Sequence, residues 1–202
     1  MGTTRSWTDD EYRRLLAACR GRRALRDRCL IVLLRRAGFR ISEALSLRLA
    51  DVVEAGRIRD EIQVARRYMK GRREGRIVPV HAEARAALAA WVGAMAQEGW
   101  QTADTCLFRR MGRENRPLSR VQAWRMIQTV AKGPDGAGLA GCIGTHSGRK
   151  AFGLDIYLRS GRDIRLTQEA LGHASLESTV HYLAVDRERL RGLVLGHSGG
   201  TA

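Results

Sequence analysis

Six side chains in four short stretches carry the reactive chemistry of this sequence. "AGFRISEAL" places Arg40 at a junction between two helical patterns. Glu43 follows three residues on, where it shares a helix face and can orient the guanidinium. "YMKGRREGRIVPV" places Lys70 at the head of a polar turn between two strand-like runs. "THSGRKAFG" spaces His146 and Arg149 so that, on a helix, they point the same way. "LGHASLESTVHYLAV" holds His173 and, nine positions later, Tyr182. Singly, each has an ordinary structural reading: a solvated arginine, a turn lysine, a chance H-x-x-R, a half-buried core tyrosine. Together they make the set that phosphoryl transfer requires. Guanidinium groups match phosphate oxygens and meet transition-state charge. Histidine and lysine move protons to and from attacking and leaving oxygens. A phenol, with a pKa ordinarily about 10, becomes a covalent nucleophile when cations surround it.

The bulk composition points to an anionic polymer as partner. The 202 residues carry a formal net charge of +15, while 44% apolar and 28% charged content is that of a globular chain. Of 36 basic residues, three are lysines, Lys70, Lys132 and Lys150. An arginine-rich composition alone would therefore put arginine at position 70. The cysteines Cys19, Cys29, Cys106 and Cys142 are scattered without a C-x-x-C pair, which suits a reducing cytoplasm rather than a disulfide framework or zinc site. The polar start "MGTTRSWTDDEYRR" has no signal-peptide apolar core, and the longest apolar run, "CLIVLL", is too short to span a bilayer. None of the lysines follows the G-K-[ST] pattern of a phosphate-binding loop, and H-E-x-x-H is absent. "GHSGG" at 196–200 matches G-x-S-x-G but lacks the strand and helix of a nucleophile elbow.

The elements that must position these residues are mostly helical. "TDDE" at 8–11 is a capping box that starts a helix to about Arg20. "LRDRCLIVLLRRAG" reads as a buried helix ending at Gly38, and "ISEALSLRLADV" as a short helix from about Ser42. "DEIQVARRYM" and "GRIVPV" read as strands flanking the turn "KGRREG". "AEARAALAAWVGAM" and "SRVQAWRMIQTVAK" are helices on either side of an irregular stretch, 98–117. "GPDGAGLAGCIG" reads as a flexible connection, after which short helices run to about Leu195. The expected fold class is α+β, mostly helical, with a small antiparallel sheet.

With these motifs in this order, from about Trp7 to Val185, the chain resembles the catalytic domain of the tyrosine recombinases, or phage integrases. "GFRISEALSLRLADV" resembles their arginine motif, "MKGRREGRIVPV" their lysine hairpin and "THSGRKAF" their H-x-x-R helix. "LGHASLESTVHYLAV" resembles their final motif and is the most specific of the four. The resemblance implies the catalytic core over residues 1–195; the tail at 196–202 is expected to be flexible, and the N-terminal core-binding domain that the family usually carries is expected to be absent, a departure from its pattern. It implies that Arg40 and Arg149 bind the scissile phosphate and that Lys70 is the general acid. His146 and His173 would assist with protons and phosphate contacts, and Tyr182 would attack DNA to form a 3′-phosphotyrosine. It further implies no ATP, metal or other cofactor. The implied partners are double-stranded DNA, further copies of the chain in a tetramer on DNA, and an accessory DNA-bending or directionality protein, in the cytoplasm at the nucleoid.

Position 148 departs from the family, which usually has a bulkier apolar residue inside the H-x-x-R helix. Glycine there costs ~1 kcal/mol against alanine, so the helix is expected to start later or to pack more closely on something. Two other readings stay open. "RLTQEALGHASLESTVHYLA" also reads as the helix–turn–helix of a non-catalytic DNA-binding regulator, which leaves Arg40, Lys70, His146 and Arg149 unexplained. A type IB topoisomerase-like nicking-closing enzyme would share the chemistry.

Overall fold

The computed structural model describes residues 4–64, 75–110 and 112–173. Lys70 and Tyr182, the rest of residues 65–74, where the sequence suggests a turn, and everything after His173 lie outside the described residues.

The capping box at Thr8 forms as the sequence implies. Thr8 Oγ1 accepts from the Glu11 amide at 3.2 Å, Glu11 Oε2 accepts from the Thr8 amide at 3.0 Å, and α1 runs Asp9–Ala18. After a 3-10 turn at Gly21–Arg23, α2 spans Ala24–Arg36. Residues Cys29–Leu34 are all buried, so this stretch of the helix is covered on every side and forms the centre of the core. It ends just before Gly38, which takes φ +60, a conformation open to glycine; a side chain there would also drive into the Phe152 ring.

The single helix expected from Ser42 is two: α3 at Ile41–Ser46 and α4 at Leu49–Val52. The break is tertiary in origin. Leu49 and Ala50 donate backbone bonds to Thr105 and Ala103, Leu107 donates to Leu47, and Arg48 bridges Cys106. The 103–107 segment thus claims the backbone groups that a continuous helix would use. The sequence reading also missed a small hairpin, β1 (Val53–Glu54) with β2 (Arg57–Ile58). Its two-residue turn, Ala55-Gly56, has positive φ at both positions.

The expected pair of strands is present. β3 (Glu61–Val64) and β4 (Arg76–Pro79) pair antiparallel, with Ile62 opposite Val78 and Val64 opposite Arg76. Ile62, Val64 and Val78 point into the core. Then α5 (Ala82–Gln97) packs on α2 through Ala84, Leu88, Trp91 and Met95, a helical stripe. Helix α6 (Arg120–Lys132) is started by a second capping box, at Ser119 and Gln122. The glycine-rich stretch after it is a loop, as expected, but a pinned one. Ala137, Leu139 and Ile143 are buried, and Arg14, Arg5 and Lys132 donate to the carbonyls of Ala137, Ala140 and Gly141. Helices α7 (Ser147–Arg159) and α8 (Ile164–Leu171) follow and pack on each other, with α7 also against α2.

Candidate active site

Four of the six expected site residues, Arg40, His146, Arg149 and His173, lie among the described residues. Arg40 precedes α3, where its guanidinium Nη1 donates to Glu43 Oε1 at 2.7 Å and its amide donates to Glu43 Oε2 at 2.8 Å. The carboxylate three residues on therefore orients the arginine, as its spacing implies. Glu43 has no exposed surface and holds two further guanidinium groups. Arg76 Nη2 stands 3.1 Å from Oε2 and Arg149 Nη1 3.8 Å. Burial works to raise the Glu43 pKa, but Arg76, Arg149 and Arg40 together outweigh it and hold the carboxyl below the usual range. Three formal positive charges on one negative leave this cluster at a net +2 (3 − 1 = 2).

The same three arginines close the C-terminal end of α8. Arg76 Nη1 donates to the Ala170 carbonyl at 2.8 Å, Arg149 Nη2 donates to that of Leu171, and Arg40 Nη2 donates to that of Gly172 at 3.2 Å. Three successive carbonyls at the negative end of a helix dipole thus each meet a cation. A second anchor lies at Gly38, whose carbonyl accepts from Arg149 Nη1 and from Arg76 Nη2, the latter at 3.2 Å. The arginines therefore join the α2–α3 junction, β4 and the end of α8 at one point. Gly172 ends α8 with φ +61, turning the chain so that His173 enters the cluster. The backbone also secures this turn: the His173 amide donates to the Gln168 carbonyl at 3.1 Å, and Gln168 Nε2 donates to the His173 carbonyl at 3.1 Å.

The electrostatics bias both histidines toward the neutral form. His173 is 4% exposed; burial first, then Arg149, Arg40 and Arg76, push its pKa down to about 3, so the ring is neutral at physiological pH. His146 stands exposed immediately before α7. Desolvation by the protein atoms around it, followed by Arg149, Lys150 and Arg40, lowers its pKa as well. A neutral imidazole can accept a proton, and guanidinium groups keep their charge throughout, so the site joins fixed cations to proton acceptors.

Arg76 was not singled out from the sequence, where it reads as one more arginine in a basic strand. A faint signal did exist. Val64 and Val78, its neighbours in the sheet, face inward, and the strand alternation places Arg76 on that same buried face. An arginine there demands a partner. The departure at Gly148 also has its explanation: α7 does not start late but packs closely, and a Cβ at 148 would lie 2.6 Å from the Trp7 ring. Among the described residues no group of three or more His, Cys, Asp or Glu side chains is placed to hold a metal ion.

Comparison with known proteins agrees with this architecture. The sequence pattern described as "Phage integrase family" matches residues 5–189. The type 1 fimbriae regulatory protein FimE of Escherichia coli K12 is 34% identical over 195 residues, covering 96% of this chain and 92% of FimE. The tyrosine recombinase XerD of Mycobacterium tuberculosis H37Rv is 35% identical over 197 residues, and this chain spans 58% of its length. Among solved structures, XerA recombinase superposes with a TM-score of 0.74 at 25% identity, covering 99% of this chain and 68% of that one. XerH recombinase bound to palindromic difH substrate, a post-cleavage complex, gives a TM-score of 0.71 over 96% of this chain and 53% of that one; at 24% identity this likeness concerns the fold.

Proposed function

The chain belongs to the phage integrase family and is a site-specific recombinase of the tyrosine type, and from that premise we propose how its residues perform the reaction. Arg40 and Arg149 hold the two non-bridging oxygens of the scissile phosphate in double-stranded DNA, Arg149 exchanging a bond to the Gly38 or Leu171 carbonyl for the phosphate as DNA binds. The Tyr182 phenolate oxygen attacks phosphorus, the bond from phosphorus to the 5′-oxygen breaks, and a 3′-phosphotyrosine forms. His146, biased toward its neutral form by desolvation and then by the nearby cations, takes the phenol proton, and His173 supplies a phosphate contact. Lys70 protonates the departing 5′-oxygen. A 5′-hydroxyl from another strand then reverses the attack, so the bond energy is kept in the phosphotyrosine and neither nucleotide nor metal is consumed. Two strand exchanges between two duplexes require four active sites, which supports a tetramer on DNA; an accessory DNA-bending or directionality protein completes the assembly.

The observation that carries this reading is the convergence of Arg40, Arg149 and His173 on one carboxylate-oriented cluster of net positive charge. They come from separate parts of the sequence and meet where transition-state charge would have to be neutralised. The deciding experiment is a suicide DNA substrate with a nicked site, followed by denaturing electrophoresis. The native protein should form a covalent adduct in EDTA, and Tyr182→Phe should form none while binding DNA with nearly native affinity. An adduct in the Phe variant would remove Tyr182 as nucleophile. A strict Mg²⁺ requirement would replace the mechanism with a metal-dependent one. A helix–turn–helix regulator would form no adduct in any variant.

A further inference from the structure

Residues 4–8 lie as a strap across the segment that leads into His146 and Arg149. The Arg5 amide donates to the Cys142 carbonyl at 3.0 Å, and its guanidinium Nη2 donates to Ala140 at 2.7 Å. Glu11 braces that guanidinium through Arg5 Nη1 at 2.7 Å. From the other side, Lys150 Nζ donates to the Thr4 carbonyl at 2.6 Å. Glycines of the facing segment meet the strap at close quarters. A Cβ on Gly141 would lie 3.0 Å from Arg5 Nε, and one on Gly144 3.0 Å from the Thr4 methyl. At Gly148, inside the first turn of α7, it would lie 2.6 Å from one Trp7 ring atom, and 3.0 Å from another and from Leu34 Cβ.

Trp7 is 3% exposed and stands just before the Thr8 cap, the position of a hydrophobic staple. Were it only a staple, nothing would require glycine opposite it. Instead, its six-membered ring fills the room that the missing side chain at 148 leaves, between His146 and Arg149. From this geometry we infer that Trp7 is a positioning residue for the reaction, acting through Gly148 to set the placement of the H-x-x-R turn. Large ring and absent side chain are two halves of one fitted contact: the strap holds the turn down, and glycine lets it come close enough. The inference rests on the functional reading above for its consequence in catalysis, and on packing alone for its structural content.

The test is a double-mutant cycle between Trp7→Ala and Gly148→Ala, with Trp7→Leu in parallel to preserve the core should the alanine variant be poorly folded. Three quantities are followed: the rate of covalent adduct formation, DNA affinity, and amide hydrogen exchange at residues 146–150. Trp7→Ala should slow adduct formation by about 10²-fold, the order expected for a catalytic group displaced by about an ångström. DNA affinity should change little, and the Lys150 amide, bonded to the His146 carbonyl at 2.9 Å, should exchange faster. The decisive result is a change of sign. Gly148→Ala should slow the native protein, because its methyl meets the ring and Leu34 Cβ, yet speed the Trp7→Ala or Trp7→Leu protein, because with the ring gone the turn can shift off Leu34 and carry the methyl into the gap. Additive effects of the two substitutions would overturn the inference, as would a rate that simply follows the folded fraction measured by thermal unfolding. The exchange readout separates the two ideas. A sign change in exchange without any adduct in the native protein would keep the packing relation and discard the recombination chemistry.

Discussion

Arg40 and Arg149 are assigned to the same phosphate, yet the fold holds them with different balances of carboxylate and carbonyl. Arg40 keeps 25% of its side chain exposed and leans on a carboxylate three residues away. Arg149 has no exposed surface and donates to two backbone carbonyls, at Gly38 and Leu171, 111 and 22 residues distant in sequence. A carboxylate partner fixes orientation at the cost of part of the charge. Carbonyl partners leave the charge whole but demand that distant backbone be in place. The first arginine is thus positioned mainly by local sequence, with one distant bond to the Gly172 carbonyl, the second by the completed tertiary structure, and Glu43, 3.8 Å from Arg149, is where the two arrangements meet.

The largest effect should come from cutting that link. Glu43→Gln leaves three guanidinium groups crowded around a neutral amide, and loss of one partner from a buried ion cluster costs about 3–5 kcal/mol. Urea denaturation would read it. A loss below about 1 kcal/mol would mean that the carbonyls alone hold the arginines, and the comparison would fail.

Next in size are the two arginines themselves. Arg149→Lys cannot reach both carbonyls, and each buried group left unsatisfied costs about 1–3 kcal/mol. Arg40→Lys should be milder in stability, because its side chain already meets solvent. Both should lower cleavage by about 10²–10³, the scale of losing one charge-stabilising donor. Thermal unfolding alongside adduct-formation rates would sharpen the contrast; equal destabilisation by the two lysines would erase it.

The cluster should also be sensitive to acid. His173 titrates near 3 in the folded protein against about 6.5 when unfolded, so between those values the unfolded chain binds the extra proton. Stability should be complete above about pH 6.5 and fall with decreasing pH at up to about 1.4 kcal/mol per pH unit. Glu43, whose folded pKa is lowered, adds a loss of the same sign at still lower pH. His173→Gln should flatten the slope between about pH 6.5 and 4; a slope unchanged by that substitution would place the acid sensitivity elsewhere. The smallest effect is expected at the exposed histidine. His146→Ala should change stability by less than about 0.5 kcal/mol, as for other surface positions, while slowing adduct formation.

Much of this could be read from residues alone because the relevant physics is local. Thr8 and Glu11 announce a helix start, Gly38 and Gly172 announce helix ends, and Arg40 with Glu43 is a pair set by the helical repeat. His146 and Arg149 share a turn for the same reason. The break between α3 and α4 was not legible, since nothing in "ISEALSLRLADV" states that residues 103–107 will take its backbone bonds. Arg76 was hidden by composition: in a chain with this much arginine, only burial against Glu43 separates a structural guanidinium from a solvated one. The glycine at 148 was visible as an anomaly, but its cause, the Trp7 ring, lies 141 residues away (148 − 7 = 141). The sequence by itself determined the identities and spacings that phosphoryl transfer needs, because capping and helical periodicity act over a few residues. Only the tertiary structure decided which cations converge, what carries their charge and which ring presses on the turn of His146 and Arg149, because those depend on burial, and burial exists only once distant segments have packed together.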